Sequence, residues 1–356
     1  MPDISFQIRL ITPTFNFGAN KSPDSTGLRA TSLRGLWRFW ARAIIAGTLS
    51  PPCSEKLHIL EDGLFGGTEP PFKTFRLRLE TDGYLLTGEY RPVPHHTPPV
   101  WSAWKPANVI QAQITLNQGL SSFKQKLVHQ GEYQQADKIP EWNDPSKKAL
   151  LSVLWLWGNL GGTGIRSRRG FGSVALRPLE GQRDPFEDAG LPPCCETFES
   201  VEALSRHLRD GIEKSFDLVR DWIHAWRGFP VNTGLEAHRS SYGEMYVLSS
   251  LSQVFVTGSA PVSDLGSLDS SPNGLLKNIG DKPKVPDETG SERNPRLASP
   301  MIVRVHQVKN SEGKMGYCPV LTWSPWTDTK VGPGGNTNWL KKLGIKDSLG
   351  GDSIYG

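Results

Sequence analysis

The sequence predicts an α+β protein of two domains. Three observations carry this: period-two apolar alternation in several separate segments, three stretches of helical apolar period, and Gly- and Pro-rich breaks between them. The chain has 356 residues, room for about two domains at ~100–200 residues each. It carries 12 Trp and 14 Phe, enough bulky apolar side chains for a large core, which excludes a disordered or fibrous protein.

Residues 4–15 read as a strand, with Ile4, Phe6, Ile8 and Leu10 alternating against Ser5, Gln7 and Arg9. A loop rich in Gly, Asn, Ser and Asp follows. A helix is predicted over 31–45, capped by Thr31 or Ser32. Leu33, Leu36, Trp37, Trp40 and Ile44 fall on one arc of it, while Arg34, Arg38 and Arg42 recur every fourth residue as a separate basic ridge. Residues 72–80 alternate Phe75, Leu77 and Leu79 with Arg76 and Arg78, a second strand. Segments 84–88 and 109–116 are weaker strands, and 91–107 between them reads as a long loop. Residues 147–160 are apolar nearly all round, the mark of a buried helix. They run into GGTGIRSRRGFGS (161–173) and a short strand, VALRPL.

This closes a first domain at 1–180. A linker is expected over 181–199 and a second domain over 200–356. The second opens with an amphipathic helix, 200–226, in which Val201, Leu204, Leu208, Ile212, Val219, Ile223 and Trp226 keep the period. Residues 258–296 are dominated by Ser, Gly, Pro, Asp and Lys and are expected to form a long mobile insertion. Strands 300–308 and 314–323 pair around a turn at Asn310–Gly313, and a Gly-rich tail begins at Val331. The order β-α-β-β-α-loop-β in the first domain fits a ferredoxin or RNA-recognition fold, with a more irregular α+β domain behind it.

The net charge of +4 is too small to identify a nucleic-acid binder, so the distribution of basic residues matters more than their sum. No window approaches the ~20 apolar residues of a membrane span, and the first residues lack a signal-peptide pattern, so a cytoplasmic protein is expected. Cys53, Cys194, Cys195 and Cys318 form no CxxC pair, so free thiols are expected rather than a zinc site or a disulfide, and no cofactor is expected. The doublet His95–His96 lies in a Pro-rich stretch and reads as loop.

Four constellations remain. In Gly161–Ser173, five glycines surround Arg166, Arg168 and Arg169. Glycines let the backbone approach a ligand, exposed amides nest anions, and guanidiniums fork onto phosphates. Phe171 is a candidate for stacking on a base. This is no P-loop, which needs GxxxxGK[ST] opening a helix, whereas these glycines follow one. The ridge Arg34, Arg38, Arg42, with Arg29 ahead of it, has no acidic partner within its helix; it is either a solvated face or a phosphate-binding one. Asp24, in the loop after the first strand, is either a turn former or a residue assisting in-line attack on RNA. Arg296 and Ser299, ahead of strand 301–305, either begin that strand or meet a phosphate.

The runs TPTFNFGAN, SLRGLWRFWARAI, LFGG and GGTGIRSRRGFGSV resemble the RAMP superfamily of CRISPR proteins, and within it the family of first subunits of the Cmr (type III-B) effector. Ser32, Arg34, Gly35, Arg38, Phe39 and Trp40 match that family's helix motif, and RLASPMIVRV resembles its second-domain strand. The resemblance implies two tandem ferredoxin-like (RNA-recognition-like) RAMP domains. It implies a subunit that contacts guide RNA and target RNA beside other type III effector subunits, caps the guide 3′-end side and helps capture target RNA. It raises Arg34, Arg38, Arg166, Arg168 and Arg169 to expected RNA contacts. In the family, cleavage belongs to the repeated backbone subunit, through an Asp in the loop after its first strand. Asp24 lies in roughly that region and keeps open an endoribonuclease alternative, acting through Asp24 or through His95 and His96. A pure assembly subunit is the third reading.

Overall fold

The computed structural model describes residues 3–17, 27–51, 53–67, 73–90, 101–117, 144–226, 229, 231, 253–256, 301–323 and 353–355. Asp24, His95, His96, Arg296, the 258–296 insertion and the tail 331–352 lie outside the described residues.

The first sheet is built on β1 (Ile4–Leu10). Along one edge, Phe6 and Ile8 face Ala112 and Ile110 of β5 (Val109–Leu116); along the other, Ile8 faces Leu176 of β6 (Val174–Arg177). β2 (Phe75–Glu80) sets Leu77 against Ile114 of β5. The spatial order is β2-β5-β1-β6 and every neighbour is antiparallel. Alternation puts Ile4, Phe6, Ile8, Ile110, Ala112 and Ile114 on one buried face, as expected of an antiparallel sheet with its other face polar.

Helices α1 (Ala30–Thr48) and α3 (Asp144–Leu160) belong to the same core, with Trp37 of α1 edge-on to Trp157 of α3 at 5.8 Å. α1 begins ahead of both expected caps: Arg29 is its N-cap and provides no side-chain cap bond. Between them lies α2 (Ser54–Phe65), a helix the sequence reading did not find. Leu57, Leu60 and Leu64 give its buried stripe. Gly63, a helix-weakening residue, is required there because a Cβ would stand 2.4 Å from the Trp226 ring.

β3 (Thr87–Tyr90) and β4 (Trp101–Trp104) form a separate antiparallel ribbon. β3 starts later than the 84–88 expectation, and β4 lies inside the stretch read as loop. Trp104 bridges to Thr14 and ties the ribbon to the chain leaving β1.

The 181–199 segment is packed against the first sheet's core. It holds a short helix, α4 (Pro185–Asp188), whose cap is the Asp184 carboxylate accepting from Phe186 N at 2.8 Å. Phe186 is buried edge-on to Phe6 at 6.0 Å. Strand β7 (Thr197–Phe198) follows. Glu196 pairs with Arg9 at 2.7 Å and Arg177 at 3.1 Å, fastening the segment to β1 and β6.

Helix α5 (Val201–His224) is capped by Ser200 Oγ, which accepts from Ala203 N at 3.1 Å. Its sheet contains β8 (Gln253–Val256), β9 (Met301–Lys309), β10 (Met315–Trp323) and β11 (Ser353–Tyr355) in the order β11-β8-β10-β9-β7. Only β7 against β9 is parallel among these pairs. The β9–β10 hairpin turns where expected: the Asn310 side chain accepts from Glu312 N and Lys314 N, and Gly313 takes φ +74°. β8 and β11 were not anticipated. The whole is mixed α/β with antiparallel sheets.

The two halves meet at α3 and α5. Gly211 of α5 faces Trp155 of α3 so closely that a Cβ would stand 2.0 Å from the ring. Among the described residues no helix is long and apolar enough to cross a membrane.

Candidate nucleic-acid interface

The Gly-rich loop 161–173 is stapled from three directions. The segment after β1 supplies the first. Thr12 Oγ1 donates to Gly170 O at 2.7 Å and accepts from Ser173 N at 2.9 Å, while Gly172 N donates to Pro13 O at 2.9 Å. Thr12 and Pro13 therefore close the loop. α1 supplies the second: Arg168 lies over the Phe39 ring at 5.1 Å, and Gly161 packs so near Trp40 that a Cβ would come within 2.6 Å of Nε1. β9 supplies the third. Gly170 N donates to Val303 O at 3.0 Å, Val303 N to Arg168 O at 3.1 Å, and Val305 N to Ser173 Oγ at 3.0 Å.

One guanidinium from β9 also ties the loop's two stems together. Arg304 donates to Gly158 O at 2.7 Å, at the end of α3, and to Val174 O, where β6 begins. Its third bond is to Val305 O at 2.7 Å. The last carbonyls of α3 carry the helix's partial negative charge, a fitting receptor for a buried cation. Desolvation pulls Arg304 down to about 9, still charged at neutral pH.

Beside it, His306 Nε2 donates to Asn159 O at 2.9 Å, and His207 sits between Trp155 and Phe198 at ring separations of 5.3 and 4.9 Å. Burial first, then the Arg304 charge, holds His306 well below its ordinary range and His207 down to about 4. Below pH ~6.5 the unfolded chain takes up protons that the folded one excludes. Stability is therefore full above that pH and falls toward pH 4, by about 1.4 kcal/mol per pH unit for each histidine. Urea midpoints at pH 7, 6 and 5 check this: His207→Phe is expected to lose visibly less across the series than the parent.

Arg166 and Arg169 present a different electrostatic picture. Both are half-buried, and neither has an ion pair or side-chain hydrogen bond among the described residues. Desolvation lowers both, and the Arg169 charge lowers Arg166 further. Arg166 takes φ +65°, strained for a residue with a Cβ, and its buried Nε has no partner. Two adjacent, unneutralised guanidiniums on a locked loop are chemically suited to an anion.

The basic ridge of α1 has other work. Arg34 donates to Phe75 O at 3.1 Å and to Phe65 O, with its guanidinium over the Phe75 ring at 4.5 Å. Arg38 donates to Glu61 Oε1 at 2.9 Å and to Gly66 O. Arg42 approaches the same Glu61 oxygen at 3.7 Å with 39% of its side chain exposed. The acidic partners missing from α1 come from α2, and the ridge fastens the two helices. Phe171, expected to stack on a base, is 2% exposed and packs on Phe15 at 5.0 Å; that expectation is corrected, since its ring has no free face. Arg296 and Asp24 lie outside the described residues.

Sequence reasoning assigned no individual role to Arg304, Thr12 or the aromatic pair Phe17–Trp101. Arg304 had a signal: it interrupts an apolar run, Met-Ile-Val-Arg-Val, in a strand buried on both faces.

Residues 7–175, spanning Thr12 and the Gly-rich loop, match the RAMP superfamily. The CRISPR system Cmr subunit Cmr1-2 of Pyrococcus furiosus is 26% identical over 199 residues, which is 50% of this chain and 97% of that protein. The apo crystal structure of Cmr1 from Pyrococcus furiosus superposes with a TM-score of 0.52 at 16% identity, covering 92% of this chain and 90% of the other. A chain from the type III-B Cmr-beta complex bound to cognate target RNA and AMPPnP gives 0.49 at 12% identity, covering 95% and 98%. Residues 7–175 thus match the RAMP superfamily, and the chain is similar in sequence and in fold to Cmr1 proteins of Pyrococcus furiosus.

Proposed function

We propose that this chain is an RNA-binding subunit of a type III CRISPR effector that works in the cytoplasm. It caps the guide 3′-end side and helps capture complementary target RNA, with guide RNA, target RNA and other effector subunits as its partners and cleavage left to another subunit. The observation that carries this reading is the unneutralised Arg166–Arg169 pair on the stapled loop. The similarity to the Cmr subunit Cmr1-2 of Pyrococcus furiosus supports the assembly. Residues 1–180 are read as a ferredoxin-like domain on the order β2-β5-β1-β6, and 200–356 as a divergent second one. Phosphate contacts of this kind hold a strand without reading it, so sequence choice falls to guide–target pairing.

The test is a salt titration of labelled single-stranded RNA with the parent and with Arg166→Ala, Arg169→Ala and the double variant. Each lost guanidinium is expected to weaken binding for all sequences alike and to flatten the log–log salt slope by about 0.7. A double variant with parental affinity and slope would overturn the reading. The same samples on a denaturing gel should hold intact RNA; cut RNA that disappears in Asp24→Ala would replace it with the nuclease reading.

A further inference from the structure

We infer that Phe17 and Trp101 form a base-stacking subsite next to the Arg166–Arg169 pair, which makes the strand held here single-stranded. The inference rests on the phosphate-binding reading above. Phe15 anchors the subsite. It is fully buried and its ring lies 6.1 Å from Phe17, 5.9 Å from Trp101 and 5.0 Å from Phe171. Its backbone is joined to the Gly-rich loop: Ile165 N donates to Phe15 O at 2.7 Å across an antiparallel bridge. The aromatic group and the arginines therefore share one rigid support.

Phe17 and Trp101 differ from Phe15 in that both remain partly exposed, edge-to-face at 5.4 Å. Exposed Arg29 fixes Phe17 by donating to its carbonyl oxygen at 3.1 Å. Ile165, 46% exposed, extends the apolar surface toward Arg166. Partly exposed aromatic rings held by a buried one, on the same support as unpaired cations, suit a nucleobase with its phosphate. The adjoining positive charge argues for an anionic occupant rather than an apolar peptide. Bases paired within an A-form duplex keep their faces stacked inside, so the subsite needs a splayed base from a single strand.

The experiment measures binding of a single-stranded RNA and of an abasic ribose-phosphate strand of equal length, using Trp101→Leu, Trp101→Phe and Phe17→Leu. Trp101→Leu should weaken the RNA roughly tenfold with an unchanged salt slope, leave the abasic strand unaffected, and be largely restored by Trp101→Phe. Phe17→Leu should show the same selective loss. Parental RNA affinity in both leucine variants, or equal losses on both strands, would overturn the proposal. Failure of the phosphate reading has a different signature, an unchanged salt slope in the double arginine variant. A thermal melt of each variant separates a folding defect from a lost subsite, and Phe17→Leu decides if Trp101→Leu fails to fold.

Discussion

Arg304→Met is expected to destabilise the protein by about 3–5 kcal/mol, read as a shift in the denaturant midpoint at constant slope. The side chain is wholly buried, and each of its nitrogens is turned to a backbone carbonyl: Gly158, Val305 and Val174. Replacing a buried ion by an apolar residue can be neutral where both partners are exchanged for well-packed hydrophobes. That compensation is closed here, because backbone carbonyls cannot be exchanged. Each stranded acceptor costs roughly 1–3 kcal/mol, which exceeds the desolvation relieved by removing one cation already solvated by carbonyls and a helix end. Lysine keeps the charge but not the planar fork that reaches both stems of the loop, so Arg304→Lys should fall between. A methionine variant within about 0.5 kcal/mol of the parent, the range of an ordinary surface substitution, would sink the argument.

Gly172→Ala should be the second severe substitution, costing roughly 2–4 kcal/mol and abolishing RNA binding through the loop. Its φ is +65°, and a Cβ would stand 1.8 Å from the backbone oxygen of Thr163, whose own N–H closes the loop. Thr163 N donates to Gly172 O at 2.8 Å, so relieving the clash opens that bond and the Thr12 staple next to it. Gly181→Ala is the control. Its φ of +73° is as unfavourable, yet nothing lies within 4 Å of the added carbon. It should cost only the ~1–2 kcal/mol of the left-handed backbone and leave RNA affinity intact. Equal losses at the two glycines would mean that conformation, and not the closed loop, governs stability there.

The periodic segments were legible because one variable, burial of alternate or every third to fourth residue, dominates them. β5 falls where alternation put it, and α3 reads as buried because it is apolar all round. α2 escaped because prolines precede it and Gly63 weakens its pattern; the reason for that glycine is the ring of Trp226, far away in sequence. Missing α2 then misdirected the reading of Arg34 and Arg38, whose partners Phe65, Glu61 and Gly66 are on or just beyond that helix. A basic stripe is visible in a sequence, but whether a carboxylate answers it is decided by tertiary packing. Phe171 and Phe17 are likewise indistinguishable by composition. One is sealed under Phe15 and the other left half-open, and only the fold separates them.

The way the Gly-rich loop lies along β9 also bears on solubility. β7 pairs with only Gln307 and Val308 of that strand, while residues 168–170 occupy its edge at Val303. Parted between the two sheets, the second half would bare a row of unsatisfied amides and carbonyls on an apolar strand, the kind of edge to which another polypeptide adds. The loop thus acts as a guard against strand addition from outside. The same contact that fixes the Gly-rich loop thus keeps this edge of β9 from its own copies.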